Sequence, residues 1–158
     1  KEIYDQFIIK PLELMHISLC DPTSNFAPIY LNARPLNLAL TLASAGAAGG
    51  IISTAQDTME FLQAFYTGKL FKESYLPMLY QWNRIQWFPL EYGMGMMRCK
   101  MSRLMSPFFP APEIIGHSGS SGTFAFYCPS KKLFITGTIN QMNKQPFPLM
   151  YLLLNCFE

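Results

Sequence analysis

One stretch of the sequence, residues 113–140, constrains the fold more than any other. It contains two apolar runs of strand character joined by the turn PSKK at 129–132. The first run follows a small, polar, glycine-rich step, GHSGSSG at 116–122. Branched and aromatic side chains suit a pleated, half-buried surface, so this pattern predicts a β-hairpin. The polar step indicates either a backbone that another molecule approaches closely or an ordinary hairpin loop.

The composition is that of a folded chain. The 158 residues are 50% hydrophobic and only 14% charged, which argues against intrinsic disorder. The net charge of +2 gives none of the basic character that nucleic-acid binding requires. We therefore expect one domain, or a large piece of one, with no nucleic-acid partner.

The four cysteines are widely spaced and form no C-x-x-C or Cys/His metal pattern. We expect them to be buried free thiols, and we expect neither a metal nor a cofactor. They are Cys20, Cys99, Cys128 and Cys156.

The sequence gives no sign of a membrane span or a signal peptide. The smoothest apolar stretch, 36–52, is interrupted by polar residues and three glycines, so it is a poor transmembrane candidate. The first residues have the amphipathic pattern of a folded element, which is not typical of a signal peptide. A start in the middle of an element predicts a fragment or a processed product.

Local patterns predict the elements before the hairpin. Apolar spacing predicts a short helix at 2–9, which must end before Pro11. Residues 12–26 have loop character with a turn at Asp21, and 30–42 could hold one short strand. Two capping patterns, Ser53 with Gln56 or Thr54 with Asp57, begin a helix predicted over 54–67, which Gly68 would end.

The patterns of the second half are weaker. A second helix is predicted over 72–82, shortened at its start by Pro77. Alternation at 92–99 predicts one strand, and three prolines make 102–112 irregular. Residues 146–157 are apolar on most faces, as in a helix packed flat against a sheet. His16 stands alone and is interpreted as a structural or surface histidine.

The glycine-rich step cannot hold a complete nucleophile–base pair. His117 and Ser118 are adjacent, and neighbouring side chains on a strand point to opposite faces. The segment GHSGS at 116–120 also differs from the nucleophile elbow G-x-S-x-G, because its last position is Ser120 and a strand follows where a helix is needed.

Three segments, in order along the chain, carry a family resemblance. AGGIISTAQD at 48–57 resembles the A-G-G-x-x-S-T-A-x-D segment of serine β-lactamase-related proteins, which include class C β-lactamases, penicillin-binding proteins, D-Ala-D-Ala carboxypeptidases and related esterases. GHSG at 116–119, with Gly122, Pro129 and Asn140, resembles the H-x-G signature strand and its hairpin. PLEL at 11–14 is similar to the family's PLGM turn, although Glu13 stands where glycine is usual.

The resemblance implies an α/β (α+β) fold with an antiparallel sheet flanked by helices and a site between a sheet-edge strand and a helical region. His117 would take the signature Lys or His position and shape proton transfer. Ser118 would lend its hydroxyl to a substrate carboxylate or carbonyl, and Gly119 would keep the strand bare for the substrate backbone. Ser120 would give one oxyanion-hole N–H, without any need for its side chain.

The sequence also departs from the family pattern. No serine in this sequence is followed three residues later by lysine, so the S-x-x-K nucleophile is absent. The only Y-x-N match, Tyr30-Leu31-Asn32, follows the PLGM-like turn and is interpreted as coincidental. We therefore expect residues 1–158 to be the C-terminal part of one β-lactamase-like domain whose N-terminal part carries both motifs. The chain alone would be inactive.

Three hypotheses follow for the function. In the first, the parent protein is an acyl-serine hydrolase acting on a β-lactam, peptide or ester, and this chain's partners are that small-molecule or peptide substrate and the N-terminal part of the fold. In the second, a non-enzymatic member binds a peptide or partner on the same strand. In the third, the HSGSSG segment is only a loop. The resemblance implies an extracytoplasmic parent.

Overall fold

A six-stranded antiparallel sheet forms the centre of the structure, a computed structural model that describes residues 2–84, 89–101 and 111–157. In spatial order its strands are β10 (Leu133–Thr138), β9 (Thr123–Cys128), β8 (Ile114–Ser118), β7 (Met97–Cys99), β6 (Leu90–Tyr92) and β5 (Asn83–Arg84). Each strand pairs with its neighbour in the sequence, so the sheet is a meander.

Two small two-stranded sheets and several helices surround this sheet. The small sheets pair β1 (Ser18–Leu19) with β4 (Ile51–Ile52) and β2 (Ile29–Leu31) with β3 (Arg34–Leu36). The helices are α1 (Glu2–Tyr4), α2 (Ala39–Ala45), α3 (Ala55–Tyr66), α4 (Leu76–Leu79) and α5 (Phe147–Leu154). A π-helical segment, Asp5–Ile9, continues α1, and 3₁₀ turns occupy Gly46–Ala48 and Glu73–Tyr75.

Helices cover both faces of the sheet, because alternate residues of its strands are apolar on each side. Met150, Tyr151 and Leu154 of α5 pack on one face against Ile114, Phe124, Phe126 and Cys128. Leu62 and Tyr66 of α3 pack on the other face with Ile115 and Met96. The predicted α+β fold, an antiparallel sheet flanked by helices, is confirmed.

The strongest sequence predictions are confirmed. The hairpin pairs Cys128 with Leu133 and Thr123 with Thr138 across the turn at 129–132. Helix α3 begins after Thr54, whose hydroxyl oxygen accepts the Asp57 N–H at 3.1 Å, so the second of the two capping patterns is the one used. The helices at 2–9 and 147–154 and the turn at Asp21 are also present.

Three predictions from local pattern are wrong in detail. Residues 30–42 hold two short strands and the start of α2, since Asn32 adopts φ +56° and turns the chain back on itself. The strand predicted at 92–99 is divided between β6 and β7 by a turn in which the Gly93 N–H donates to the Met96 carbonyl at 2.9 Å. The helix predicted over 72–82 spans only 73–79.

The remaining predictions have mixed outcomes. The loop at 12–26 contains the two-residue strand β1, and the irregular segment predicted at 102–112 lies outside the described residues as far as 110. All four cysteines are free thiols, of which three are buried and Cys156, beyond the end of α5, is exposed against expectation. Within the described ranges no helix combines the length and apolar character needed to cross a membrane.

Candidate functional site

At the glycine-rich step, β8 continues beyond the end of one of its two neighbouring strands. Strand β7 pairs with β8 only as far as Gly116, which lies opposite Met97. Strand β9 continues alongside, pairing His117 with Ala125 and Ser118 with Phe124. The prediction that this is a sheet-edge strand is therefore wrong for β8 as a whole, since it lies inside the sheet. Its last two residues nevertheless have a free side where β7 has ended.

The backbone of Ser118 faces that free side. The Gly119 N–H donates to the Thr123 carbonyl at 2.9 Å, so Gly119 is bonded to the β9 side. In an antiparallel ladder, residues facing one neighbour alternate with residues facing the other. His117 therefore also bonds toward β9, and the N–H and carbonyl of Ser118 point away from it.

A four-residue turn, 119–122, carries the chain from β8 into β9. The Gly122 N–H donates to the Gly119 carbonyl at 3.0 Å, and Gly122 has φ +80°. In such a turn the N–H of the second residue is not used by the turn itself. In keeping with this, the N–H of the exposed Ser120 has no backbone acceptor among the described residues.

Glycine at 116 reflects a close approach between β8 and β9. A Cβ at this position would overlap the Ala125 carbonyl oxygen and lie 2.7 Å from the Cα of Phe126. A Cβ at Gly119 would overlap the Thr123 hydroxyl, a side-chain atom that can rotate away, and its other nearest contacts would be ordinary ones at 3.8 Å. A side chain is therefore excluded most strictly at Gly116, because the neighbouring atoms there are backbone. The role of Gly119 toward a substrate stays a prediction.

Both ring nitrogens of His117 have partners. The side chain is exposed, its Nδ1 lies 2.9 Å from the Ser118 carbonyl oxygen, and its Nε2 is hydrogen-bonded to the Tyr92 hydroxyl. The Tyr92 and His117 rings meet edge to face, with centroids 5.5 Å apart and an interplanar angle of 88°. The imidazole is thus held between β6 and its own strand.

The side chains of His117 and Ser118 go to different partners, as their alternation on a strand predicts. The Ser118 hydroxyl donates to the Met97 sulfur at 3.6 Å, and no bond joins it to the imidazole among the described residues. A strand follows the turn, as expected for a segment that is not a nucleophile elbow. The structure thus brings His117, Ser118, Gly119 and Ser120 together at one end of the sheet.

The segment at 48–57 has a structural role, because its last residue links the start of α3 to an earlier loop. Asp57 is buried, and its Oδ2 accepts the His16 backbone N–H at 2.6 Å. Because Asp57 also donates its own N–H to the Thr54 cap, it ties the start of α3 to the preceding loop. The His16 ring is 70% exposed, which confirms its interpretation as a structural or surface histidine.

The Tyr30-Leu31-Asn32 match also has a structural use. The Tyr30 N–H donates to the Asn140 carbonyl at 2.9 Å, and the Asn32 side-chain oxygen accepts from Asn143 Nδ2 at 3.0 Å. Asn32 and Asn140 both have positive φ, so each supplies a tight turn. These contacts dock the β2–β3 hairpin beside the end of β10.

Sequence reasoning missed the groups that support the site from β6 and β7. Tyr92 was interpreted only as part of a strand, although it lies beside the pair of glycines that marks the turn. Arg98 contacts Glu91 and lies 3.8 Å from Glu113, with its guanidinium 4.8 Å from the Trp82 ring centre. These contacts join residues on different strands and loops, so no local sequence motif reveals them. In the described ranges, no cluster of three or more His, Cys, Asp or Glu side chains could hold a metal ion.

Comparison with known proteins gives a family match and structural neighbours. A family model described as Beta-lactamase matches residues 1–154. No curated protein sequence matches the chain at a significant level. The three solved structures described below match between 89% and 99% of this chain. The chain spans only between 43% and 52% of their own lengths.

Three of these structures illustrate the likeness. A D-stereospecific amidohydrolase from Streptomyces sp. is 27% identical with a TM-score of 0.70, over 89% of this chain and 43% of its own. A penicillin-binding protein from Bacillus halodurans is 16% identical with a TM-score of 0.72, over 99% and 49%. A D-amino acid amidase from Ochrobactrum anthropi SV3, complexed with D-phenylalanine, is 16% identical with a TM-score of 0.67, over 98% and 52%.

Proposed function

The chain belongs to the beta-lactamase family, and from this premise we propose that it is the C-terminal part of a serine hydrolase domain that works by acyl transfer. On this proposal residues 1–158 supply the substrate-binding strand and half of the oxyanion hole. The serine nucleophile belongs to the part of the fold that the matched structures have and this chain does not cover. The chain would not turn over substrate by itself.

The observation that carries the proposal is the free end of β8. An extended acyl substrate can add to a strand only where backbone N–H and carbonyl groups lack a neighbouring strand. The Ser118 N–H faces the side that β7 has left, the Ser118 carbonyl oxygen lies 2.9 Å from His117 Nδ1, and the Ser120 N–H lies in the turn immediately after them. On this proposal Ser118 binds the substrate carboxylate or carbonyl, Gly119 leaves room for its backbone, and the Ser120 N–H stabilises the oxyanion.

His117 lies beside these groups on the proposed substrate side. An imidazole at this position shapes the local electrostatics and takes part in proton transfer near the nucleophile. It does not act as a base toward Ser118, because that hydroxyl bonds to the Met97 sulfur. The side chain of Ser120 has no part in the proposed chemistry.

The proposed substrate is a β-lactam, a peptide or an ester. Two of the structural neighbours bear names that refer to amide hydrolysis with D configuration, an amidohydrolase and a D-amino acid amidase. We therefore rank amides first among the three, and esters after them. An extracytoplasmic location, as is common for such proteins, is part of the proposal.

One alternative uses the same strand end without catalysis. In it, the protein is a non-enzymatic member of the family that captures a peptide or partner on the same free strand end. Both functions use the backbone of Ser118 and Ser120, and they differ only in whether a nucleophile lies opposite.

Covalent labelling separates these functions. The full-length gene product and the 158-residue chain are each treated with a fluorophosphonate or a fluorescent penicillin. We expect the long protein to be labelled and the short one to stay unlabelled. Equal labelling of the short chain would exclude a nucleophile outside it, and no labelling of the long protein would favour the binding function.

A pair of substitutions at position 120 tests the oxyanion-hole assignment. Ser120→Pro removes the N–H at a turn position that proline favours, whereas Ser120→Ala removes only the hydroxyl. We expect Ser120→Pro to lower kcat of the full-length protein by roughly 100- to 1,000-fold and Ser120→Ala to leave it within about threefold. Equal losses in both variants would assign the effect to the side chain and refute the proposed role. Circular dichroism checks that both variants are folded.

A further inference from the structure

The hydrogen bonds of His117 determine where its ring proton lies. Nδ1 is 2.9 Å from the Ser118 carbonyl oxygen, and a carbonyl oxygen can only accept. Nδ1 therefore carries the proton. In the neutral ring Nε2 is then a bare lone pair, and the hydrogen bond between Tyr92 and Nε2 must be donated by the Tyr92 hydroxyl.

We propose that Tyr92 is a positioning residue, which holds His117 as the neutral Nδ1–H tautomer and keeps its Nε2 lone pair occupied. The catalytic meaning of this assignment rests on the proposed function, whereas the tautomer rests on the hydrogen bonds alone. An imidazole held in this way has a fixed orientation and a fixed position of its ring proton. The Tyr92 hydroxyl oxygen becomes the atom through which a proton could reach or leave the ring.

The backbone places Tyr92 for this contact. Met97 of β7 lies opposite Tyr92 on one side and opposite Gly116 on the other, so the two partners sit on strands that flank the end of β7. His117 is the first residue of β8 beyond that end. Tyr92, Met97 and Gly116 lie opposite one another and share a face of the sheet, so the next residue, His117, points to the other face. The two rings therefore meet beyond the last β7–β8 pair, where no further pair of β7 separates them.

The turn after Tyr92 is itself anchored. The Gly93 N–H donates to the Met96 carbonyl at 2.9 Å, and the Met94 N–H donates to the Leu79 carbonyl at 3.0 Å. At Gly93 an added Cβ would overlap the Leu79 carbonyl oxygen and lie 3.0 Å from the Trp82 ring. The backbone that follows Tyr92 is therefore anchored, which fixes the point from which its ring extends toward His117.

A tyrosine hydroxyl suits this task because it can both donate and accept. It donates to Nε2 while the imidazole is neutral, and after a half-turn of its O–H bond it accepts from Nε2–H when the imidazole is protonated. Phenylalanine keeps the ring contact and loses both bonds. Tyr92→Phe therefore removes the positioning effect with little change in packing.

Nitrogen NMR tests the tautomer directly. In ¹⁵N-labelled protein, the His117 signals are those that disappear in His117→Gln, and long-range ¹H–¹⁵N correlations show which ring nitrogen carries the proton. We expect the Nδ1–H form in the unsubstituted protein and a mixture of both tautomers in Tyr92→Phe. The control is Tyr75→Phe, whose exposed ring lies on the 3₁₀ turn before α4 and should leave the His117 signals unchanged. An Nε2–H form in the unsubstituted protein, or an unchanged tautomer in Tyr92→Phe, would overturn the inference.

A kinetic measurement on the full-length protein tests the catalytic meaning. We expect Tyr92→Phe to lower kcat by roughly 10- to 100-fold with KM nearly unchanged and to alter the pH profile, because a misplaced catalytic group costs rate more than binding. Wild-type kcat and pH profile in Tyr92→Phe would overturn the positioning role. If the full-length protein hydrolyses nothing, the proposed function fails while the NMR result still decides the tautomer.

Discussion

Some residues other than glycine adopt the left-handed backbone conformation, which is energetically unfavourable for a residue with a Cβ. Among the described residues, Glu13, Asn32, Lys132 and Asn140 have positive φ without being glycine. Asparagine tolerates this region, because its side chain hydrogen-bonds locally. Glu13, with φ +54°, lacks the short polar side chain that stabilises this conformation in asparagine. It also stands where the family's PLGM turn has glycine. The departure noted in the sequence is therefore a site of backbone strain.

Replacing Glu13 by glycine should relieve that strain. The left-handed conformation costs a residue with a Cβ roughly 1–2 kcal/mol, and the extra freedom of glycine in the unfolded chain cancels part of the gain. We expect Glu13→Gly to raise the free energy of unfolding by about 0.5–1 kcal/mol, measured by urea denaturation.

The matched control for this prediction is Glu13→Ala, which removes the same exposed carboxylate and keeps the Cβ. We expect it to change stability by less than about 0.5 kcal/mol, as for most surface substitutions. If alanine stabilises as much as glycine, the effect comes from the charge and not from the backbone.

Residue roles were predictable where they depend on near neighbours in the sequence. The Thr54 cap acts on a residue three positions later, so its pattern is visible in the sequence itself. The contact between Tyr92 and His117 spans 25 positions and forms beyond the end of the strand between them. The free end of β8 likewise depends on where β7 stops, which no local pattern around the glycine-rich step reveals.

At the scale of elements, α3 is the best-specified part of the structure. Its start has a hydroxyl cap, its apolar residues recur at helical spacing, and Gly68 follows its last turn with φ +75°. The β6–β7 turn was missed for the opposite reason. Apolar alternation continues across it, and the two glycines that form it fit the interior of a weak strand as well as a turn.

The cap of α3 can be tested by a pair of substitutions. Thr54→Ala removes the hydroxyl that accepts the Asp57 N–H, whereas Thr54→Ser keeps an equivalent oxygen. We expect Thr54→Ala to lower the free energy of unfolding by about 1 kcal/mol and Thr54→Ser to change it by a few tenths. A loss in Thr54→Ser as large as that in Thr54→Ala would show that the threonine methyl matters instead. Thermal or urea denaturation followed by circular dichroism gives both values.

At the scale of the whole molecule, each face of the sheet buries a tyrosine whose protonated form is favoured by burial. Tyr66 lies between α3 and the sheet, is 8% exposed, and donates its hydroxyl hydrogen to the Ile115 carbonyl at 3.2 Å. Tyr151 of α5 is buried on the opposite face. Burial raises the pKa of both phenols well above the ordinary value, with smaller effects from Tyr80 and Tyr127 on Tyr66.

These raised pKa values predict that the fold loses stability in alkali. In the unfolded chain both phenols lose their protons near pH 10, while the folded chain keeps them. The free energy of unfolding should therefore be insensitive to these groups below about pH 10 and should fall above it, by about 1.4 kcal/mol per pH unit for each group. Tyr66→Phe keeps the packing and should remove one group's share of this slope. Tyr75→Phe, at a ring that is 53% exposed, should leave the slope unchanged. Urea denaturation from neutral pH to about pH 11 measures all three slopes, and a Tyr66→Phe slope equal to that of the unsubstituted chain would show that the buried phenol is not what destabilises the fold.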